Sequence, residues 1–323
     1  MKNFIKKILK KINLYWQIRK IYQFFFLKGY IYQKFQRLFA NISIRIKMAS
    51  IERTIIKLIF FRSQKYFKLN IDQNNKHYTQ LYDQGCTTQF TLKSIENNKK
   101  TFLEYFRNKQ IFNDKFPDKK FYLNEKPEDL EVGYFDNSIT ANCPYIFDVI
   151  NDPLIIKTLS TYFGCPYKLD YITAWWSFKN KLTESKEKTQ YFHRDIDNFN
   201  FIKLFLYLTD VDELSGPHQY IKFTHKKDFG FKLSTKIVDI NTLQKNIDND
   251  IHTFSGKSGS VVLENTLGLH RAKKPEVSDR LMIAMSFSLI NTPYCPPKPF
   301  LKFQNLQTNL SQYNKHINQN FII

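Results

Sequence analysis

The chain has 323 residues, a mass of 38.8 kDa and a formal net charge of +20, with 42% hydrophobic, 24% charged and 16% aromatic residues. These fractions exclude a wholly disordered chain, and 9 Gly and 11 Pro exclude collagen-like or Pro-rich linker sequences. The charge is unevenly placed: residues 1–68 hold 17 Lys and Arg against a single acid, Glu52, so +16 of the +20 lies there and the body is only mildly basic.

Residues 4–18 read as an amphipathic helix. Phe4, Ile5, Ile8, Leu9, Ile12, Tyr15 and Trp16 share one face, and Lys2, Lys6, Lys7 and Lys10 lie opposite. That pattern suits a helix lying in a membrane interface, where anionic lipid adds roughly 1 kcal/mol per nearby Lys or Arg. The plainer alternative is a helix docked on its own domain; a nucleic-acid tether is the least favoured use of the charge. Lys6, Lys7, Lys10 and Lys11 interrupt any signal-peptide core, and no uncharged apolar run approaches the roughly 18 residues needed to cross a bilayer. Residues 20–68 read as further helices. Residues 1–68 are thus expected to form a basic helical extension, 69–300 the main domain, and 301–323, rich in Asn and Gln, a peripheral tail.

Further helices are predicted near 78–83 and over 93–108. Residues 146–163 also read as helical, with Asp152 placed to cap a helix whose first position is Pro153. From about residue 168 the period changes. Strands are predicted at 171–178, 201–211, 259–266 and 280–289. Helices followed by several short strands predict a mainly β core with helices, a sandwich or jelly roll rather than an α/β sheet. Cys86, Cys143, Cys165 and Cys295 form no Cys-x-x-Cys pair, so reduced thiols in a cytoplasmic setting are expected, with the extension on the inner face of the membrane.

The residues that carry chemistry lie in the strand-rich half. His193 and Asp195 are two apart, which puts both side chains on the same face of a strand. His270 follows the 259–266 strand, and Arg280 opens the next. Two His and one carboxylate suit the facial triad of a non-haem Fe(II) centre, which leaves three positions for a chelating cosubstrate and dioxygen. A guanidinium can grip the far carboxylate of 2-oxoglutarate with two parallel hydrogen bonds. Plainer readings stand beside this one. His193 and Asp195 also fit an exposed strand pair, His270 a core histidine, and Arg280 an ion-pair partner of Asp279 or Glu276. His218 and His225 read as loop residues or supporting groups rather than ligands. Lys203 and Tyr207 line the oxoacid pocket, or else simply pack or face solvent. Trp175 and Trp176 read as a substrate wall or as core.

Two stretches, YFHRDIDNFNFIKLFLYLTDVDELSGPHQYIKFTHK (191–226) and GSVVLENTLGLHRAKKPEVSDRLMIAMSF (259–287), resemble the phytanoyl-CoA dioxygenase family of Fe(II)/2-oxoglutarate-dependent oxygenases. The resemblance runs from about residue 171 to 290, with weaker coverage back to about 75. It implies a double-stranded β-helix with the site inside the barrel mouth. It implies His193, Asp195 and His270 as iron ligands, Arg280 as the anchor for 2-oxoglutarate, and O2 as the oxidant. The implied reaction is hydroxylation of a metabolite, with succinate and CO2 as co-products; the basic amphipathic N-terminus, not the resemblance, points to a small or lipid- or glycan-linked substrate handled at a membrane face. Halogenating relatives replace the ligand carboxylate with a small residue, so Asp195 favours hydroxylation. Two positions depart from the family pattern. Ala272 stands where a small hydroxyl residue often assists the oxoacid, and Phe223–Thr224–His225 replace the usual Gly-Ser-His, which puts a tight turn in question. A non-catalytic jelly-roll module at a membrane surface is the second reading.

Overall fold

A computed structural model describes residues 29–39, 41–60, 69, 71–113, 119–179, 190–227, 250–301 and 311–322. The helix expected over 4–18 lies outside them. Among the described residues ten strands form two antiparallel sheets, as the predicted jelly roll requires. The strands are β1 (Ile111–Phe112), β2 (Lys120–Phe121), β3 (Val132–Tyr134), β4 (Lys168–Ser177), β5 (Phe201–Tyr207), β6 (His218–Ile221), β7 (Ile251–Phe254), β8 (Val261–Glu264), β9 (His270–Ala272) and β10 (Arg280–Ser288). The larger sheet runs β2-β1-β3-β4-β10-β5-β8 and the smaller β7-β6-β9.

Register decides which residues face which side. Met282 pairs with Tyr207 on one side and Trp175 on the other, and Ala284 pairs with Phe205. Period-two alternation puts Arg280, Met282 and Ala284 on that face together with Lys203, Phe205 and Tyr207. It is the inner face, where Met282, Ala284, Phe205 and Tyr207 pack with Tyr220 and Phe254 of the smaller sheet. The opposite face presents Ile202, Leu204, Leu206, Leu281, Ile283, Met285 and Phe287 to a larger core shared with helical side chains such as Phe102, Phe106, Leu159 and Phe163. Fully burying each such side chain contributes roughly 1.5–3 kcal/mol. With both faces covered, β5 and β10 read in sequence as continuous apolar runs rather than alternating ones.

The helices are α1 (Gly29–Leu38), α2 (Ile42–Phe60), α3 (Lys76–Gln84), α4 (Lys93–Glu96), α5 (Lys99–Arg107), α6 (Asn137–Ala141), α7 (Ile146–Ile150), α8 (Pro153–Phe163) and α9 (Gln312–Asn318). Two predicted helices are broken. The 93–108 span splits into α4 and α5 because the Asn98 side chain turns back on the carbonyl of Ser94, at 2.9 Å. The 146–163 span splits at Asn151, whose side chain takes the carbonyl of Phe147, and Asp152 then caps α8 by accepting from the Leu154 N–H at 2.9 Å. The 201–211 strand ends at Tyr207, and Asp210 beyond it is taken up by Ser258 and Lys257.

The tail is also corrected. Residues 311–322 are not peripheral: Tyr313, Ile317 and Phe321 are buried in the main core. Likewise α2 is no detachable extension. Ile56 joins the main core, and Ile42 packs on Ile196 and Leu267. Arg45 is buried, donating to Gln36 and to the backbone carbonyl of Asn198 at 2.7 Å. Asn200 donates to the Ala49 carbonyl and, at 2.6 Å, to Glu52. These α2 residues pack on the main domain, so the boundary drawn at residue 68 divides in sequence what packs together in space.

Burial raises the pKa of Glu52 to about 7, against the hydrogen bond from Asn200. An acid whose folded pKa lies above its unfolded value stabilises below the unfolded pKa and loses that contribution as pH rises toward 7. Glu52→Gln should therefore remove a loss on the order of 1–3 kcal/mol between pH 5 and pH 8. Urea melts of wild type and variant at the two pH values check this; identical pH dependence would contradict it.

Candidate metal and oxoacid site

Residues 191–200 form a short segment laid beside β9. His193 pairs antiparallel with His270, through backbone hydrogen bonds of 3.0 and 3.1 Å in the two directions. The Asp195 N–H continues the contact, donating to the Thr266 carbonyl at 2.9 Å. A non-neighbouring pair of chain segments is thereby zipped together, and the two histidine rings come to lie 4.3 Å apart between centroids. Arg194 points the other way and clamps the segment, donating to the Thr224 and Leu267 carbonyls at 2.6 Å each.

His193, Asp195 and His270 offer one ligand atom each, and these atoms lie within 4.8 Å of one another. His270 Nε2 is 3.3 Å from Asp195 Oδ2, and His193 Nε2 is 3.7 Å from Asp195 Oδ1. Metal–ligand bonds of about 2.1 Å put adjacent donors roughly 3 Å apart, so the cluster is close to the spacing a single ion needs. Both rings are oriented by their far nitrogens: His193 Nδ1 lies 2.9 Å from the Tyr191 carbonyl and His270 Nδ1 3.0 Å from that of Gly268. These contacts fix both rings with Nε2 facing Asp195. Gly268 has no substitute here, because a Cβ would stand 1.9 Å from the Tyr220 hydroxyl. Gly268→Ala is expected to displace the carbonyl that orients His270 and to weaken metal affinity about 10- to 100-fold, read by anaerobic metal titration; unchanged affinity would contradict that role.

The electrostatics favour ligation by His193 and Asp195 and hold on His270 a proton that a metal must displace. Burial, with His270 beside it, pushes His193 down to about 4, so its imidazole is neutral. Burial opposes ionisation of Asp195, but the Lys203 ammonium overrides it and the carboxyl titrates well below its usual range. Burial also works against a charged His270; the adjacent Asp195 outweighs it and raises its pKa. Lys203 Nζ bridges Asp195 Oδ2 at 2.7 Å and Asp197 Oδ2 at 2.9 Å, and the Tyr171 hydroxyl donates to Asp197 at 2.8 Å. This chain fixes the Asp195 carboxylate beside the two imidazoles.

Arg280 is 1% exposed. One of its nitrogens donates to Ser177 Oγ at 3.0 Å; Nε and Nη1 are buried with no partner. Burial brings its pKa down to about 10. A buried guanidinium with two unmet donors is costly unless an acceptor arrives, and a carboxylate matches its fork. The donor set therefore fits a divalent metal beside a small oxoacid.

The other residues singled out from sequence fall as follows. The Lys203 ammonium is held by the two aspartates. Tyr207 is saturated: its hydroxyl donates to the Phe254 carbonyl and accepts from the His218 N–H, both at 2.9 Å. It lines the inner face and has no proton left to give. His218 stacks on His270 and shares a 2.9 Å hydrogen bond with Glu264. Burial raises Glu264 to about 8 and drives His218 well below its usual value, so near neutrality this is a neutral acid–imidazole pair. His225 lies 3.1 Å from the Tyr82 carbonyl, away from the triad. Trp175 packs on the inner cluster, whereas Trp176 belongs to the main core. Phe223 makes the turn in question itself, in the left-handed region at φ 66°. Sequence reading missed Asp197, Tyr171 and Glu264. Asp197 carried a signal, standing two residues beyond Asp195 on the same alternation.

No family model matches this sequence, and a comparison with curated proteins returns no match. Solved structures resemble it in outline. HygX from Streptomyces hygroscopicus with nickel and 2-oxoglutarate bound is 12% identical, with a TM-score of 0.45 over 67% of this chain and 87% of that one. The epimerase SnoN in complex with Fe3+, alpha ketoglutarate and nogalamycin RO is 10% identical, with a TM-score of 0.46 over 66% and 82%. The alpha ketoglutarate dependent carbocyclase SnoK from nogalamycin biosynthesis is 13% identical, with a TM-score of 0.46 over 67% and 84%. The likeness extends to general outline only.

Proposed function

We propose that the chain is a ferrous-iron and 2-oxoglutarate-dependent dioxygenase of the phytanoyl-CoA dioxygenase type, hydroxylating a small or lipid- or glycan-linked metabolite. One observation carries this reading: a His/Asp/His cluster at near-ligand spacing shares the interior with a buried guanidinium whose two remaining donors have no partner. His193, Asp195 and His270 would hold the iron, and Arg280 would hold the far carboxylate of the oxoacid. Bound iron with the oxoacid supplies dioxygen activation and oxidation of a C–H bond, releasing succinate and CO2. The chain's own residues bind and orient. Lys203 and Asp197 fix the Asp195 carboxylate, the two backbone carbonyls fix the imidazoles, and Phe205, Met282, Phe254 and Trp175 line an apolar interior that limits water.

Anaerobic calorimetry tests the pairing of the two sites. 2-Oxoglutarate should bind at least about tenfold more tightly with Fe(II) than without, and succinate, which lacks the keto oxygen, should gain little. Absence of metal-dependent binding in folded protein would overturn the reading. It would favour the second one, a non-catalytic jelly-roll module, for which the neutralisation of Asp195 by Lys203 at 2.7 Å speaks.

A further inference from the structure

We propose that the outward face of α2 is the surface by which this protein docks on an anionic lipid bilayer. The helix has two apolar faces: it buries Ile42, Ala49 and Ile56 together with Arg45 and Glu52, and it also exposes Ile44, Ile51, Ile55 and Leu58, whose exposures run from 47% to 72%. These positions recur at i, i+7, i+11 and i+14, one stripe along the 19-residue helix, and Ile59 at 42% widens it. Packing on the domain uses the opposite face and leaves this stripe exposed. Among the described residues no helix is long and apolar enough to cross a membrane, so the stripe suits a helix lying flat on a surface.

Charge selects the occupant. Lys47 and Lys57 on α2, and Lys34 on α1, are exposed. Glu52 is the only acid in residues 1–68, and it is buried against Asn200. A second copy of this chain would bring an equally positive face to the stripe. So would residues 1–28, which carry eight Lys and Arg and no acid. Like charges would oppose either pairing. Nucleic acid would satisfy the charge but not the isoleucines. An anionic bilayer satisfies both, and the other apolar, Lys-flanked stripe at residues 4–18 fits the same partner. The inference does not depend on the metal site. It does connect with it in space, since the buried side of α2 holds Asn198 and Asn200, in the segment that carries His193 and Asp195.

The test uses the full chain with phosphatidylcholine vesicles, with and without phosphatidylglycerol. Wild type should co-sediment with the anionic vesicles and not with neutral ones. Exposed Ile51 and Leu58 can be replaced without touching the core, and I51E/L58E should weaken vesicle binding at least about tenfold while leaving the melting temperature in place. In Ile51→Cys protein, maleimide labelling at residue 51 should be fast in solution and slowed by anionic vesicles. Failure of wild type to bind, or equal binding by the double variant, would overturn the proposal. So would a residue 51 already shielded without vesicles, which would make the chain itself the occupant. A dimer by light scattering that the double variant abolishes would identify a second copy instead.

Discussion

Replacing Asp195 by Ala is expected to lower Fe(II) affinity at least about 100-fold and to abolish oxoglutarate turnover, since one of three protein ligands is gone and His193 and His270 alone cannot define a face. The same substitution should also destabilise the fold. Lys203 is buried and spans Asp195 and Asp197; deleting one partner leaves its ammonium with half its compensation. Breaking a buried pair from one side costs about 3–5 kcal/mol, with the remaining Asp197 keeping the loss toward the lower end. A fall in activity could then reflect unfolding. The double variant Asp195→Ala/Lys203→Met separates the two effects, because it removes both charges from the interior. Its stability should return toward wild type while iron binding stays lost. Urea melts and metal titration on the three proteins read this directly. Recovery of iron affinity in the double variant would contradict the ligand role of Asp195.

For Arg280 the two effects should run in opposite directions. Its guanidinium is fully buried with two donors unmatched, and burial has brought its pKa down to about 10; it is costly to the ligand-free fold. Arg280→Met should leave the ligand-free melting temperature unchanged or raised. Binding of 2-oxoglutarate should fall about 10²- to 10⁴-fold, from two charge-assisted hydrogen bonds at about 1.5–3 kcal/mol each. Arg280→Lys should recover only part of that, having one ammonium in place of a fork. A structural arginine would behave the other way, losing stability on truncation while ligand affinity held. Thermal melts with and without 2-oxoglutarate distinguish the two.

What sequence made legible was what repeats locally. The i, i+2 spacing of His193 and Asp195, the apolar runs of β5 and β10, and the Asp152–Pro153 start of α8 all express short-range rules. The site as assembled was less visible. His270 meets His193 through a backbone pairing between distant segments, and nothing in either segment alone specifies the other. The Lys203–Asp197–Tyr171 chain was hidden because Lys203 reads as a lining of the oxoacid pocket until its two aspartate partners are in place. The polarity of α2 misleads for a similar reason: Arg45 and Glu52 are buried by Asn198 and Asn200, contacts supplied from far along the chain. Phe321 and Ile317, set in an Asn-rich tail, were undervalued because composition says little about a short helix that returns to a core built elsewhere.

The central claim is that two imidazoles and one carboxylate converge on a single ferrous ion that also binds the oxoacid. Anaerobic addition of Fe(II) and 2-oxoglutarate to the full chain should produce a weak visible charge-transfer band, saturating at one iron per chain and missing in His270→Ala. A folded wild type that stays colourless, or a band of equal strength in His270→Ala, would contradict it.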